Sequence, residues 1–245
     1  MRALLSLLLL CVSLQLAAQN LTYYGLLPAI SQTGRISKKV DYNFFISSTI
    51  DAIPMTEYGV HYPAKDLQLY IQSSGIYKFS PNFNVAGSYT YQRNNPVTAD
   101  YGNEHRFWEQ FIYAHSFSKI KVTNRVRYEQ RFIENRATGE YPMSTRLRYQ
   151  LGTNFPLQGK TLDVGEFYFN AYNEFYFSLS GAKNATYSEN WTYAGVGYHT
   201  GKGGKIEMGY LMQNAVRNSA KDLRTLNLLQ ISWITNFNFF QKKKE

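Results

Sequence analysis

Across residues 40–239 apolar and polar side chains alternate with a period of two, over stretches of roughly 10 to 18 residues separated by turn-forming clusters. Phe83, Val85, Gly87, Tyr89 and Tyr91 fall on one face of such a stretch, and Asn84, Ala86, Ser88, Thr90 and Gln92 on the other. Val122, Val126, Tyr128 and Phe132 alternate likewise with Thr123, Arg125, Arg127, Glu129 and Arg131. A soluble sandwich also alternates, but its dry interior has no place for Arg, Glu and Gln at successive inward positions, whereas a wet lumen does. The pattern predicts an all-β protein, an antiparallel up-and-down transmembrane barrel with an apolar outside and a polar inside.

The predicted strands cover residues 40–50, 66–79, 83–92, 105–117, 121–133, 143–155, 161–177, 191–199, 205–215 and 223–239. That makes about ten, the even number expected when every neighbour is antiparallel. Tight turns at 80–82, 118–120, 156–160 and 201–204 alternate with longer polar links at 51–65, 93–104, 134–142, 179–190 and 216–222. The short turns are expected on the periplasmic side and the long links outside. Residues 23–31 also read as a strand, which makes the count odd. Residues 19–39 are therefore an N-terminal segment that crosses or plugs the lumen, or adds a strand by a pairing the pattern does not give; twelve strands is the alternative total. The barrel proper spans residues 40–240, with a basic periplasmic tail at 241–245.

Composition sharpens this picture. The chain holds 21 tyrosines, 16 phenylalanines and three tryptophans, rings suited to a membrane interface. Met1 and Arg2, an apolar run over residues 4–16 too short to span a bilayer, and Ala17 and Ala18 before Gln19 make residues 1–18 a cleaved signal peptide. Cys11, the single cysteine, leaves with it, so the mature chain has no disulfide, thiol nucleophile or Cys-ligated metal. The formal charge of +9, or +8 without Arg2, would suggest nucleic acid for a cytosolic protein. For an exported one the expected partners are outer-membrane lipid and lipopolysaccharide, and no nucleic acid. Leu229, Ile231, Trp233, Phe237 and Phe239 resemble the aromatic terminal strand read by the barrel assembly machinery, with the departure that Gln241 to Glu245 follow the last ring.

The runs Glu104-His-Arg-Phe-Trp-Glu-Gln110, Asn124-Arg-Val-Arg-Tyr-Glu-Gln-Arg-Phe132, Arg146-Leu-Arg-Tyr-Gln-Leu151 and Ala171-Tyr-Asn-Glu-Phe-Tyr-Phe177 resemble, in this order, the domain-of-unknown-function family 2490. Its members are outer-membrane barrels common in Bacteroidetes and related bacteria. The resemblance extends over most of the mature chain and implies the barrel; it implies no activity.

A charged ladder is expected within. A hairpin centred near Thr138 sets Arg131 opposite Arg146, Glu129 opposite Arg148 and Arg127 opposite Gln150. One centred near Leu157 or Gln158 brings Tyr168 beside Arg148, Asn170 beside Arg146 and Glu166 beside Gln150. One centred near Ile120 sets Gln110 against Glu129 and Ala114 against Arg125. Glu174 shares the inward parity of Tyr168 and Asn170. Arg suits such a ladder because its planar fork presents five donors and stays charged. The ladder either fills and cross-links the lumen with trapped water, or its excess of Arg over Glu passes or binds a small anionic ligand. About ten strands leave room for side chains and some water, not a porin-sized channel.

The enzyme alternative, a lipid hydrolase or acyltransferase, needs a histidine base. His115 adjoins Ser116, but neighbouring strand residues face opposite sides. His61 falls in the first long link, His105 at the outer rim, and His199 before a glycine turn, with no metal-ligand spacing among them. Gly201-Lys-Gly-Gly-Lys205 lacks the Ser or Thr and the helix of a phosphate loop, and reads as a hairpin turn. Neither a catalytic residue nor a cofactor is expected. A soluble exported sandwich remains the other alternative.

Overall fold

A computed structural model describes residues 19–181 and 184–239. The predicted signal peptide, Cys11 and the basic tail lie outside the described residues. Eleven strands close into one barrel: β1 (Leu21–Arg35), β2 (Val40–Asp51), β5 (Lys65–Lys78), β6 (Phe83–Asn94), β7 (Gly102–Phe117), β8 (Ile120–Ile133), β9 (Met143–Pro156), β10 (Phe167–Ser180), β11 (Tyr187–Gly201), β12 (Gly204–Val216) and β13 (Leu223–Asn236). Two short strands, β3 (Met55–Glu57) and β4 (Val60–Tyr62), form a separate hairpin in the link after β2. Its turn residues Tyr58 and Gly59 both have positive φ, 52° and 76°, as a two-residue hairpin turn of matching twist requires.

The total differs from the expected ten or twelve because residues 21–35 do not cross or plug the lumen but take the other course open to them and add a strand. They form a wall strand, antiparallel to β2 and parallel to β13 from Leu21↔Arg224 to Thr33↔Asn236. Parity explains the parallel seam. Strand directions around a closed ring can alternate throughout only if the number is even, so eleven strands force one like-directed pair. No short-range pattern names that partner. Past Asn236 the chain keeps to the same seam, with Phe237 and Phe239 amides donating to Thr33 and Arg35 carbonyls at 2.9 and 3.0 Å.

A second difference lies between β9 and β10. Residues 157–166 form the link, not the start of a strand at 161. Gly159 and Gly165 have φ of 53° and 87°, and the Leu157 amide donates to the Phe167 carbonyl at 2.9 Å, which closes the link onto the first residue of β10. The regular alternation of tight and long connections is broken there. At Gly201–Gly204 a hairpin turn does form, around residues 202–203.

The sorting of side chains is the reverse of a soluble core. Outward-facing Phe111, Tyr210 and Trp233 are 55%, 52% and 50% exposed, whereas inward-facing Glu129 is 0% exposed. Among the described residues every strand of the barrel hydrogen-bonds on both sides, so the sheet leaves no free edge.

Candidate lumenal site

The site is built on β7 to β11. Even-numbered residues of β7, β9 and β10 and odd-numbered residues of β8 and β11 point inward, as the strand period requires. In register, Arg127 faces Gln110 on one side and Arg148 on the other, Glu129 faces Arg146, and Arg125 faces Gln150. These pairs differ from the expected Glu129 with Arg148 and Arg131 with Arg146. The tight turn is centred between Ser118 and Lys119, ahead of Ile120, and the Asn135↔Glu140 bridge draws the next centre ahead of Thr138. A shift of partners by two keeps the face and changes the neighbour. The correction at β9–β10 is larger. The longer link places Tyr176 opposite Arg148 and Glu174 opposite Gln150, while Tyr168 and Asn170 drop to the level of Pro156 and Asn154. Glu166 does not enter the lumen; its carboxylate accepts the Asp163 amide at 2.9 Å within the link.

Three buried carboxylates organise the arginines. Glu104 accepts from Arg106 Nε at 2.9 Å and from Arg131 Nε and Nη2 at 2.7 and 2.9 Å. Glu129 accepts from Arg146 Nε and Arg148 Nη1, both at 2.8 Å. Glu174 takes a two-pronged pair from Arg148 Nε and Nη2, both at 2.8 Å, and Arg125 Nη2 at 2.7 Å. Arg146 also reaches Glu189 at 2.9 Å, linking β9 to β11 past β10. Such forked, charge-assisted bonds are the strong ones, and in a low-dielectric interior they are what makes the buried ions tolerable. Aromatic faces complete the shell. The Arg127 guanidinium lies 3.8 Å from the Trp108 ring centre, and Arg148 lies 4.3 Å from that of Tyr176.

Arg127 stands apart. Its Nε and Nη2 donate to Gln110 Oε1 at 3.0 and 2.9 Å, and among the described residues its nearest carboxylate oxygen, on Glu129, is 3.8 Å away. Its neighbour Arg125 has a buried Nε with no hydrogen-bond partner among the described residues. Arg106, Arg125, Arg127, Arg131, Arg146 and Arg148 face Glu104, Glu129, Glu174 and Glu189, so six positive charges meet four negative ones in this network.

The other side of the lumen has a different chemistry. Leu27 and Ala29 of β1, Leu211 of β12 and Leu226 and Leu228 of β13 form an apolar cluster with Tyr193. Below it, Glu207 accepts from Tyr193 Oη at 2.8 Å and from Asn170 Nδ2 at 3.1 Å. Gly197 makes room for the neighbouring Tyr168 ring, from which a Cβ there would lie 2.1 Å. Between the two sides is a chamber of about 830 Å3. It is lined by Arg125, Arg127, Arg131, Arg146 and Arg148 and also by Leu27, Leu211 and Leu226.

Sequence reasoning missed Glu104, Arg106, Glu189, Glu207 and the aromatic shell of Trp108, Tyr176 and Trp191. Glu104 and Glu189 precede the strand starts predicted at His105 and Trp191 by one and two residues, and extending the alternation backwards would have included both. No histidine lines the chamber among the described residues. His105 faces outward, its Nδ1 2.7 Å from Tyr89 Oη, and His61 lies in the β3–β4 hairpin 3.3 Å from Thr56 Oγ1. Among the described residues no group of three His, Cys, Asp or Glu side chains is placed to hold a metal.

A family model described as "Protein of unknown function (DUF2490)" matches residues 55–224. No curated protein and no solved structure matches the chain.

Proposed function

The chain belongs to the DUF2490 family, and on that premise we propose that it is an outer-membrane barrel whose lumen binds a small anionic solute. The observation that carries this reading is the pair of lumenal cations with unused capacity among the described residues: Arg127, which hydrogen-bonds Gln110 and has its nearest carboxylate oxygen 3.8 Å away, and Arg125, with an unpartnered Nε. Low-dielectric walls concentrate the field of such charges. The remaining arginines are committed to Glu104, Glu129 and Glu174, and they brace the wall that holds the site. Membrane residence is supported by the exposed Phe111, Tyr210 and Trp233, since soluble monomers rarely leave an apolar surface of this extent in water. Export by cleavage of residues 1–18, contact with lipid and lipopolysaccharide, and delivery by the barrel assembly machinery belong to the same reading.

Two experiments test it. Sedimented envelopes should contain the protein, and its gel mobility should change on heating; recovery from the soluble periplasm would overturn the membrane assignment. For the lumen, titration of the reconstituted protein with acetate or inorganic phosphate should perturb Trp108 and Trp191 fluorescence saturably. Arg127→Gln should abolish that response, and an unchanged titration would overturn the anion site.

A further inference from the structure

The barrel order sets the two lumenal chemistries against each other. β8, which carries Arg125 and Arg127, is five strands from β1 in one direction and five from β13 in the other. The parallel seam is therefore diametrically opposite the cationic strand. On that seam and beside it, Leu27, Leu226 and Leu211 line the same chamber as the two arginines. A fully hydrated ion such as chloride would use only one side of this space, and a neutral hydrocarbon only the other.

Resting on the reading of the lumen as an anion site, we infer that its ligand is amphipathic, an oxyanion head carried on an apolar body. The head meets the guanidinium groups of Arg127 and Arg125 where they line the chamber, and Gln110 on β7 and Gln150 on β9 supply further polar contacts on either side of β8. The body lies against Leu27, Leu211 and Leu226. The volume of about 830 Å3 suits such a molecule, since ligand pockets run to roughly 300–1,000 Å3. Carboxylates and phosphate monoesters share this head chemistry, and both satisfy a planar arginine fork.

The test uses the full mature chain in lipid nanodiscs, with empty discs measured alongside to remove partitioning into lipid. Octanoate and octyl phosphate should bind at least ~10-fold tighter than acetate and inorganic phosphate, because each buried methylene adds favourable transfer energy. Octanol and octylammonium should bind weakly. Arg127→Gln should bring octanoate down to the level of octanol, and Leu226→Gln should bring it towards acetate while acetate itself is unchanged. Phe45→Gln, at a half-buried lining position, serves the same purpose if Leu226→Gln fails to fold. A preference for octyl phosphate over octanoate would identify a phosphate head, and the reverse a carboxylate. If acetate and phosphate bind but the octyl anions gain nothing, the amphipathic ligand is overturned and the anion site stands. If octanol matches octanoate, the head is not read and the inference also falls. If no anion binds, both are wrong.

Discussion

The lumen has two walls that are buried to a similar degree and held by opposite means. On β7 to β10, Glu104, Glu129 and Glu174 are 1%, 0% and 1% exposed and each holds at least two arginines. On β1, β12 and β13, Leu228 and Leu211 are 0% and 1% exposed and hold one another by contact alone. An apolar contact degrades locally when one partner is trimmed. A buried ion pair does not, because removing one charge strands the others, and the cost falls on residues left unchanged. The charged wall is thus a single cooperative unit, and the apolar wall is a sum of separate contributions.

The largest expected effect follows from that contrast. Glu129→Gln leaves Arg146 and Arg148 without their shared acceptor, and should cost about 3–5 kcal/mol in urea-dependent folding into vesicles. A second change, Arg146→Met, should recover part of the loss; purely additive losses would show that the charged wall is not cooperative. Leu228→Ala should cost about 2–5 kcal/mol through the cavity it leaves. That loss should add to the one at Glu129, as expected of separate walls. Gly197→Ala should cost about 1–3 kcal/mol from the clash with Tyr168, and Tyr168→Leu should relieve it. The smallest effect is expected at Arg127, where substitution by Gln should cost about 1 kcal/mol, from the Gln110 hydrogen bonds and the Trp108 contact, because Glu129 keeps Arg146 and Arg148. A large loss there would mean that Arg127 is bound into the network after all, and would weaken its assignment to a ligand.

Much of the fold is legible in the residues alone. The alternation of Val126 and Tyr128 with Arg127 and Glu129 places the members of the ladder on their face, and the structure keeps that face for all of them except Glu166, which lies in the link before β10. Which residues meet across the ladder is not legible, because register is set inside the links. The Asn135↔Glu140 bridge and the positive φ of Gly159 and Gly165 are backbone events with weak signatures in composition. The apolar wall was hidden for another reason. In β13 the alternation that sets Leu229, Ile231 and Trp233 outward also turns Leu226 and Leu228 inward, but an interior expected to be wet and charged gives no reason to look for leucines there. The seam partner of β1 was invisible because its paired residues lie some 200 positions away in sequence.

The odd ring has a topographic result that concerns the described ends of the chain. Gln19 is tied to the link after β12, its amide donating to Asp222 Oδ1 at 3.0 Å, while Phe239 lies beside Arg35 near the turn before β2. Start and finish therefore emerge from opposite mouths. In any sealed bilayer that holds this barrel, an epitope placed ahead of Leu21 and another placed after Asn236 would be stained from different compartments, so the polypeptide carries its own compass.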